Sequence, residues 1–84
     1  RWGGEEFVSI IKIEGTKEEM TNLIDNVRLA IKNNEFKLKN KEVHVTITIG
    51  VSAYSDYDSL ENWVSESDQK LYDGKKNGKD RVVF

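Results

Sequence analysis

The run His44-Val45-Thr46-Ile47-Thr48-Ile49-Gly50-Val51 changes character at every residue, which is the pattern of a strand whose successive side chains leave on opposite faces. Val45, Ile47, Ile49 and Val51 share one side; Thr46, Thr48 and Gly50 share the other. Such a strand has to be covered, and the neighbouring segments supply candidates. Residues 7–13, FVSIIKI, are apolar at nearly every position, which fits a central strand buried on both faces. Gly15 ends it, and Thr16 three residues before Glu19 matches a capping box. Met20, Leu23, Ile24, Val27 and Ile31 then recur at helical spacing, so one apolar stripe of that helix faces the sheet.

Asn33 and Asn34 lead into KLKNKE, read as a solvated connection. Beyond the alternating strand, residues 56–59 carry turn and cap chemistry, and Leu60, Trp63, Val64, Leu71 and Tyr72 form the apolar side of a second helix. Gly78 is placed to end it, and Arg81-Val82-Val83-Phe84 reads as a short closing strand. The order strand, helix, strand, helix, strand predicts an α/β or α+β sandwich with helices packed on a sheet. At 84 residues there is room for one small domain and no linker or internal repeat is visible.

Composition narrows the chemistry. With 37% hydrophobic and 33% charged residues the chain reads as folded and soluble. No apolar run approaches the ~20 residues of a membrane helix and no signal segment opens the chain, so the expected setting is cytosolic, with no membrane contact from this segment. There is no cysteine and a single histidine, His44, so any metal must be held by oxygen. A net charge of -2 gives no general reason to expect nucleic acid as a partner.

The opening Arg1-Trp2-Gly3-Gly4-Glu5-Glu6-Phe7 sets two glycines before two carboxylates. Glycines there permit a tight turn and leave room for a ligand against the backbone. On an extended strand Glu5 and Glu6 point to opposite sides, so only one faces a given site. One carboxylate binding a hard cation such as Mg²⁺ and assisting deprotonation of a hydroxyl is one reading. A glycine turn with two solvated glutamates is the other, and from these residues alone it is the favoured one.

The pentapeptide does not stand alone. GGEEF, preceded by an arginine and an aromatic residue, resembles the signature of the GGDEF family of diguanylate cyclases. VTITIGVSAY resembles that family's T-x-S-x-G strand, with Thr48 where serine is usual, and SDQKLYDGKKNGKDRVV resembles its closing A-D-x-A-L-Y-x-A-K-x-x-G-[RK]-[ND]-x-V. Three motifs in the right order are far more specific than one.

The resemblance covers the whole chain and implies that residues 1–84 are the C-terminal half of a GGDEF domain. The implied fold is a partial nucleotidyl-cyclase-like palm lacking its N-terminal central strand. FVSIIKI and VTITIGV would then be without their shared neighbour, as in a cut piece or one that self-associates.

The implied activity is condensation of two GTP into cyclic di-GMP and two pyrophosphates, with Mg²⁺ or Mn²⁺, by a homodimer in bacterial signalling. Gly3 and Gly4 would line the nucleotide. Glu5 would ligate the metal and assist deprotonation of the ribose 3′-hydroxyl, with Glu6 a supporting metal ligand, and Lys75 and Lys79 would contact phosphate. Without the family match, lysines at a helix C-terminus would be read as dipole-stabilising and exposed.

Asp68, which also matches a family position, is expected to be a structural or surface residue rather than a catalyst, His44 to be exposed, and Trp63 and Tyr72 to lie in the core rather than stack on a base. Gly74, where the family usually has alanine, would loosen the phosphate-binding end. Lys79 for the commoner arginine keeps charge and loses bidentate geometry. The family's Arg-x-x-Asp inhibition motif would fall before Arg1. Two alternatives stand beside the cyclase: a degenerate module that binds GTP or cyclic di-GMP, and a structural piece inactive on its own, as expected of the isolated 84 residues.

Overall fold

The computed structural model describes residues 6–54 and 59–84. They form α1 (Lys17–Lys32), β1 (Phe36–Leu38), β2 (Lys41–Val43), β3 (Thr48–Gly50), α2 (Leu60–Lys76) and β4 (Arg81–Val83), a mixed α+β arrangement.

Helix α1 starts where the capping box predicts. Glu19 N–H donates to Thr16 Oγ1 at 3.1 Å, and Thr16 N–H donates back to Glu19 Oε1 at 3.1 Å. These bonds, the backbone one first, hold the Glu19 carboxyl below its ordinary range. Helix α2 begins at Ser59, whose hydroxyl accepts from Asn62 N–H at 3.1 Å.

Strands β3 and β4 pair in parallel, with Thr48 opposite Arg81, Ile49 opposite Val82 and Gly50 opposite Val83. A parallel pair needs a crossover, and α2 supplies it while packing on both strands. The face it covers is the one with small residues. A Cβ built on Gly50 would run into the Ser67 carbonyl and the Leu71 amide and lie 2.9 Å from Leu71 Cα. The glycine of this strand is therefore where a helix backbone rests on a sheet backbone.

Gly74, buried on α2, approaches the same face: a Cβ there would meet Thr48 Cγ2 at 2.8 Å and Val83 Cγ2 at 3.2 Å. The glycine answers a packing demand, where the sequence suggested a loosened helix end. At the far end of the contact Trp63 Nε1 donates to the Ser52 carbonyl at 2.7 Å, and Ser52 Oγ donates to the Trp63 carbonyl at 2.8 Å. Tyr54 meets the Trp63 ring edge-on at 5.0 Å. Helix α1 packs beside β4.

Several expectations are corrected. Residues 7–13 form no regular strand, and Phe7 (75% exposed) and Ile10 (68%) stand open to solvent. An apolar run makes a strand only where partner strands lie alongside, and none of the described strands pairs with it.

KLKNKE is a hairpin instead of an irregular connection: β1 and β2 pair antiparallel around Lys39 and Asn40, at φ 50° and 68°. Two successive left-handed residues make the turn that hairpins prefer. The alternating strand is regular only over Thr48–Gly50, because its ladder stops where the short β4 stops, though Val51 N–H still reaches the Val83 carbonyl at 2.8 Å.

Among the described residues no hydrophobic side chain is fully buried. The apolar layer, including Met20, Ile24, Ile49, Val64, Leu71 and Val82, is half-buried, while Tyr72 (61% exposed) and Leu60 (56%), expected in the core, face solvent. Strands about 4.8 Å apart make a two-stranded sheet roughly one helix wide, too narrow to cover the full stripes of two helices.

Candidate functional site

The candidate site is built at the C-terminal end of α2. Basic Lys75 and Lys76 occupy its last turn, where the helix dipole favours positive charge. Asn77 caps it, with its N–H on the Asp73 carbonyl at 3.0 Å and its side-chain amide on the same carbonyl at 2.8 Å. Gly78 follows at φ 116°, and Lys79 N–H donates to the Gly74 carbonyl at 2.9 Å. This is the six-to-one bond of a Schellman ending, so Lys79 begins outside the helix yet is tied to it.

Of the sequence-predicted residues, Gly3, Gly4 and Glu5 lie outside the described residues. Glu6 is described, and Lys75 Nζ donates to its Oε2 at 2.9 Å, both side chains about one-third exposed (34% and 36%). Residues 69 apart in sequence thus meet as a charge pair. Lys79 is exposed, one Schellman turn beyond Lys75; Asp68 is exposed, and so is His44, as expected. Among the described residues no three acidic or histidine groups converge as a metal cage. The Glu6 carboxylate is a hard oxygen donor, of the chemical type that Mg²⁺ prefers.

Sequence reasoning missed a second charged cluster next to Lys79. Asp80 Oδ2 accepts from Lys32 Nζ at 2.6 Å, and its Oδ1 accepts from Arg28 Nη1 at 2.7 Å. Arg28 Nε in turn donates to Asp25 Oδ1 at 2.7 Å, and Asp80 N–H donates to Thr48 Oγ1 at 3.0 Å. Lys32 first and Arg28 second hold the Asp80 carboxyl below its ordinary range, while Asp25 and Asp80 raise Arg28 above its own. The visible signal was the three- and four-residue spacing of Asp25, Arg28 and Lys32 on one helix face. Their partner lies 52 positions from Arg28, which no local pattern reveals.

Comparison with known proteins puts names beside this geometry. The family "Diguanylate cyclase, GGDEF domain" matches residues 1–81. "Diguanylate cyclase A" of Treponema denticola is 34% identical over 85 residues, covering 100% of this chain and 23% of its own length. "Diguanylate cyclase DgcZ" of Escherichia coli is 29% identical over 84 residues, covering 100% of this chain and 28% of its own. An "uncharacterized membrane protein" of Staphylococcus epidermidis is 31% identical over 87 residues, again 100% of this chain and 24% of its own length. The chain thus spans about a quarter of these relatives. Among the described residues no helix is long and apolar enough to cross a membrane.

Proposed function

Because this chain belongs to the GGDEF family of diguanylate cyclases, we propose that it forms the C-terminal part of a catalytic domain that joins two GTP molecules into cyclic di-GMP. In each of two symmetric steps a ribose 3′-oxygen forms a bond to the α-phosphorus of the other nucleotide. The bond from that phosphorus to the bridging oxygen breaks, and pyrophosphate leaves. The 3′-proton passes to a carboxylate or to water. Two such domains, each holding one GTP, face each other as a homodimer in this reading.

The observation that carries it is the Glu6–Lys75 contact at 2.9 Å. It joins the acidic end of the GGEEF segment to the basic end of α2, which is the pairing of charge a nucleoside triphosphate needs. Lys75 and Lys79 neutralise phosphate oxygens as charge develops on the leaving pyrophosphate. Gly3 and Gly4 leave space for the nucleotide against the backbone. Glu5 and Glu6 would hold a divalent cation, Mg²⁺ or Mn²⁺, and Glu5 would assist deprotonation of the 3′-hydroxyl. Bound there, the cation supplies charge neutralisation and orientation of phosphate oxygens.

Replacing Glu5 by Gln in the full-length protein tests the assignment. Loss of cyclic di-GMP formation with an unchanged circular dichroism spectrum and unfolding midpoint is the expected result. Undiminished turnover would remove Glu5 from the chemistry.

A further inference from the structure

Lys79 and Asp80 have φ of 60° and 51°, directly after Gly78 at 116°. Left-handed backbone is uncommon for residues other than glycine, and outside a two-residue hairpin turn such as Lys39-Asn40 two in succession need surroundings that hold them. Those surroundings are concentrated on Asp80. Its carboxylate takes Arg28 on one oxygen and Lys32 on the other, its carbonyl accepts a longer bond from Arg28 Nη1 at 3.4 Å, and its N–H is held by Thr48 Oγ1. Arg28 is only 13% exposed and is steadied by Asp25. On the other side Lys79 is fixed by its N–H on the Gly74 carbonyl, and its own carbonyl accepts from Arg81 Nε at 3.1 Å. Helix α1, strand β3 and helix α2 therefore all fasten the two-residue turn that carries the exposed Lys79 side chain.

We propose that Asp80 is a positioning residue of the nucleotide site, clamped by Arg28, Lys32 and Thr48 so that Lys79 is presented beside Lys75 to the same triphosphate. The inference rests on the phosphate role proposed above for Lys79. Asp80 touches no substrate in this account. It acts through the backbone of its neighbour, and the roles of Arg28, 13% exposed between Asp25 and Asp80, and of Lys32 are to hold Asp80 in place. The clamp also keeps Asp80, an anion next to the proposed phosphate contact, turned toward its own cations.

A double-mutant cycle on steady-state kinetics with GTP separates this role from simple structural support. In the full-length protein Lys79→Ala raises the KM for GTP by about tenfold, the scale of one charge-assisted hydrogen bond. Asp80→Ala raises KM by a similar factor with a smaller change in kcat, and Lys79→Ala then adds less than about twofold in that background. Asp80→Asn, which tolerates left-handed backbone and still accepts from Arg28, recovers most of the loss. If Asp80→Ala does not fold, Arg28→Lys provides the same comparison, because it keeps the charge and loses the shared geometry between Asp25 and Asp80. Multiplicative effects of the Lys79 and clamp substitutions on KM, with product still formed by the wild type, overturn the positioning role alone. Absence of cyclic dinucleotide product from the wild type overturns the cyclase reading and this role with it.

Discussion

Gly74→Ala reverses the sign of its effect according to what stands at residue 48. In an unobstructed helix interior alanine is favoured over glycine by about 1 kcal/mol. At this position the added Cβ would lie 2.8 Å from Thr48 Cγ2 and 3.2 Å from Val83 Cγ2, against a preferred carbon–carbon separation of about 3.5–4.0 Å. Forcing such overlap into a packed contact costs about 1–3 kcal/mol, so Gly74→Ala alone should destabilise the domain by about 1 kcal/mol net.

Thr48→Ser removes the methyl that makes the closest contact. It keeps the hydroxyl that accepts the Asp80 N–H at 3.0 Å. In that background Gly74→Ala retains its helix advantage and meets only Val83, so it should be neutral or stabilising by up to about 1 kcal/mol. The cycle thus predicts a coupling of about 1–2 kcal/mol between the two positions, read from urea midpoints at constant slope. Equal effects of Gly74→Ala in both backgrounds, within about 0.5 kcal/mol, would refute the packing argument. Threonine for serine and glycine for alanine are two departures from the family's usual spelling, and the contact makes them one volume-conserving exchange across the α2–β3 interface.

Further perturbations follow from the fold, its ion pairs and the proposed chemistry. Gly50→Ala pushes a Cβ into the α2 backbone at Ser67 and Leu71, which cannot rotate aside, and should cost about 3 kcal/mol or more in urea unfolding. Asp80 and Glu19 both have carboxyls held below the ordinary range; a depressed folded pKa contributes stability above the unfolded value and loses it as pH falls through the folded one, so the urea midpoint should drop below about pH 4. Asp80→Asn should flatten the Asp80 share of that drop, and an unchanged acid profile would contradict the ion-pair assignment. Glu5→Gln should abolish turnover while leaving the unfolding midpoint in place.

Local signals were legible in the sequence where they are complete within a few residues. Thr16 and Glu19 announce the start of α1, Gly78 the end of α2, and the alternation around Ile49 the strand that α2 covers. Residues 7–13 misled because an apolar run states only that cover is needed, and strand formation depends on a partner outside the run. The hairpin at Lys39 and Asn40 was hidden because lysine-asparagine lacks the glycine that usually marks such a turn. Within the site, Lys75 and Lys79 were reached through the family resemblance, and the contact of Lys75 with Glu6 could not be read from residues 69 apart. Asp80 was hidden for the same reason, since its partners sit on another helix. Gly74 was legible as a departure from the family and illegible as a packing partner, because only the folded chain brings it to Thr48.

The most direct test of the central claim is incubation of the full-length protein with GTP and Mg²⁺, followed by chromatography of the nucleotides. The cyclase account predicts cyclic di-GMP and pyrophosphate in a ratio of one to two, and none from residues 1–84 alone. Nucleotide binding by the full-length protein with no cyclic product would contradict it and leave a GTP-binding module in its place.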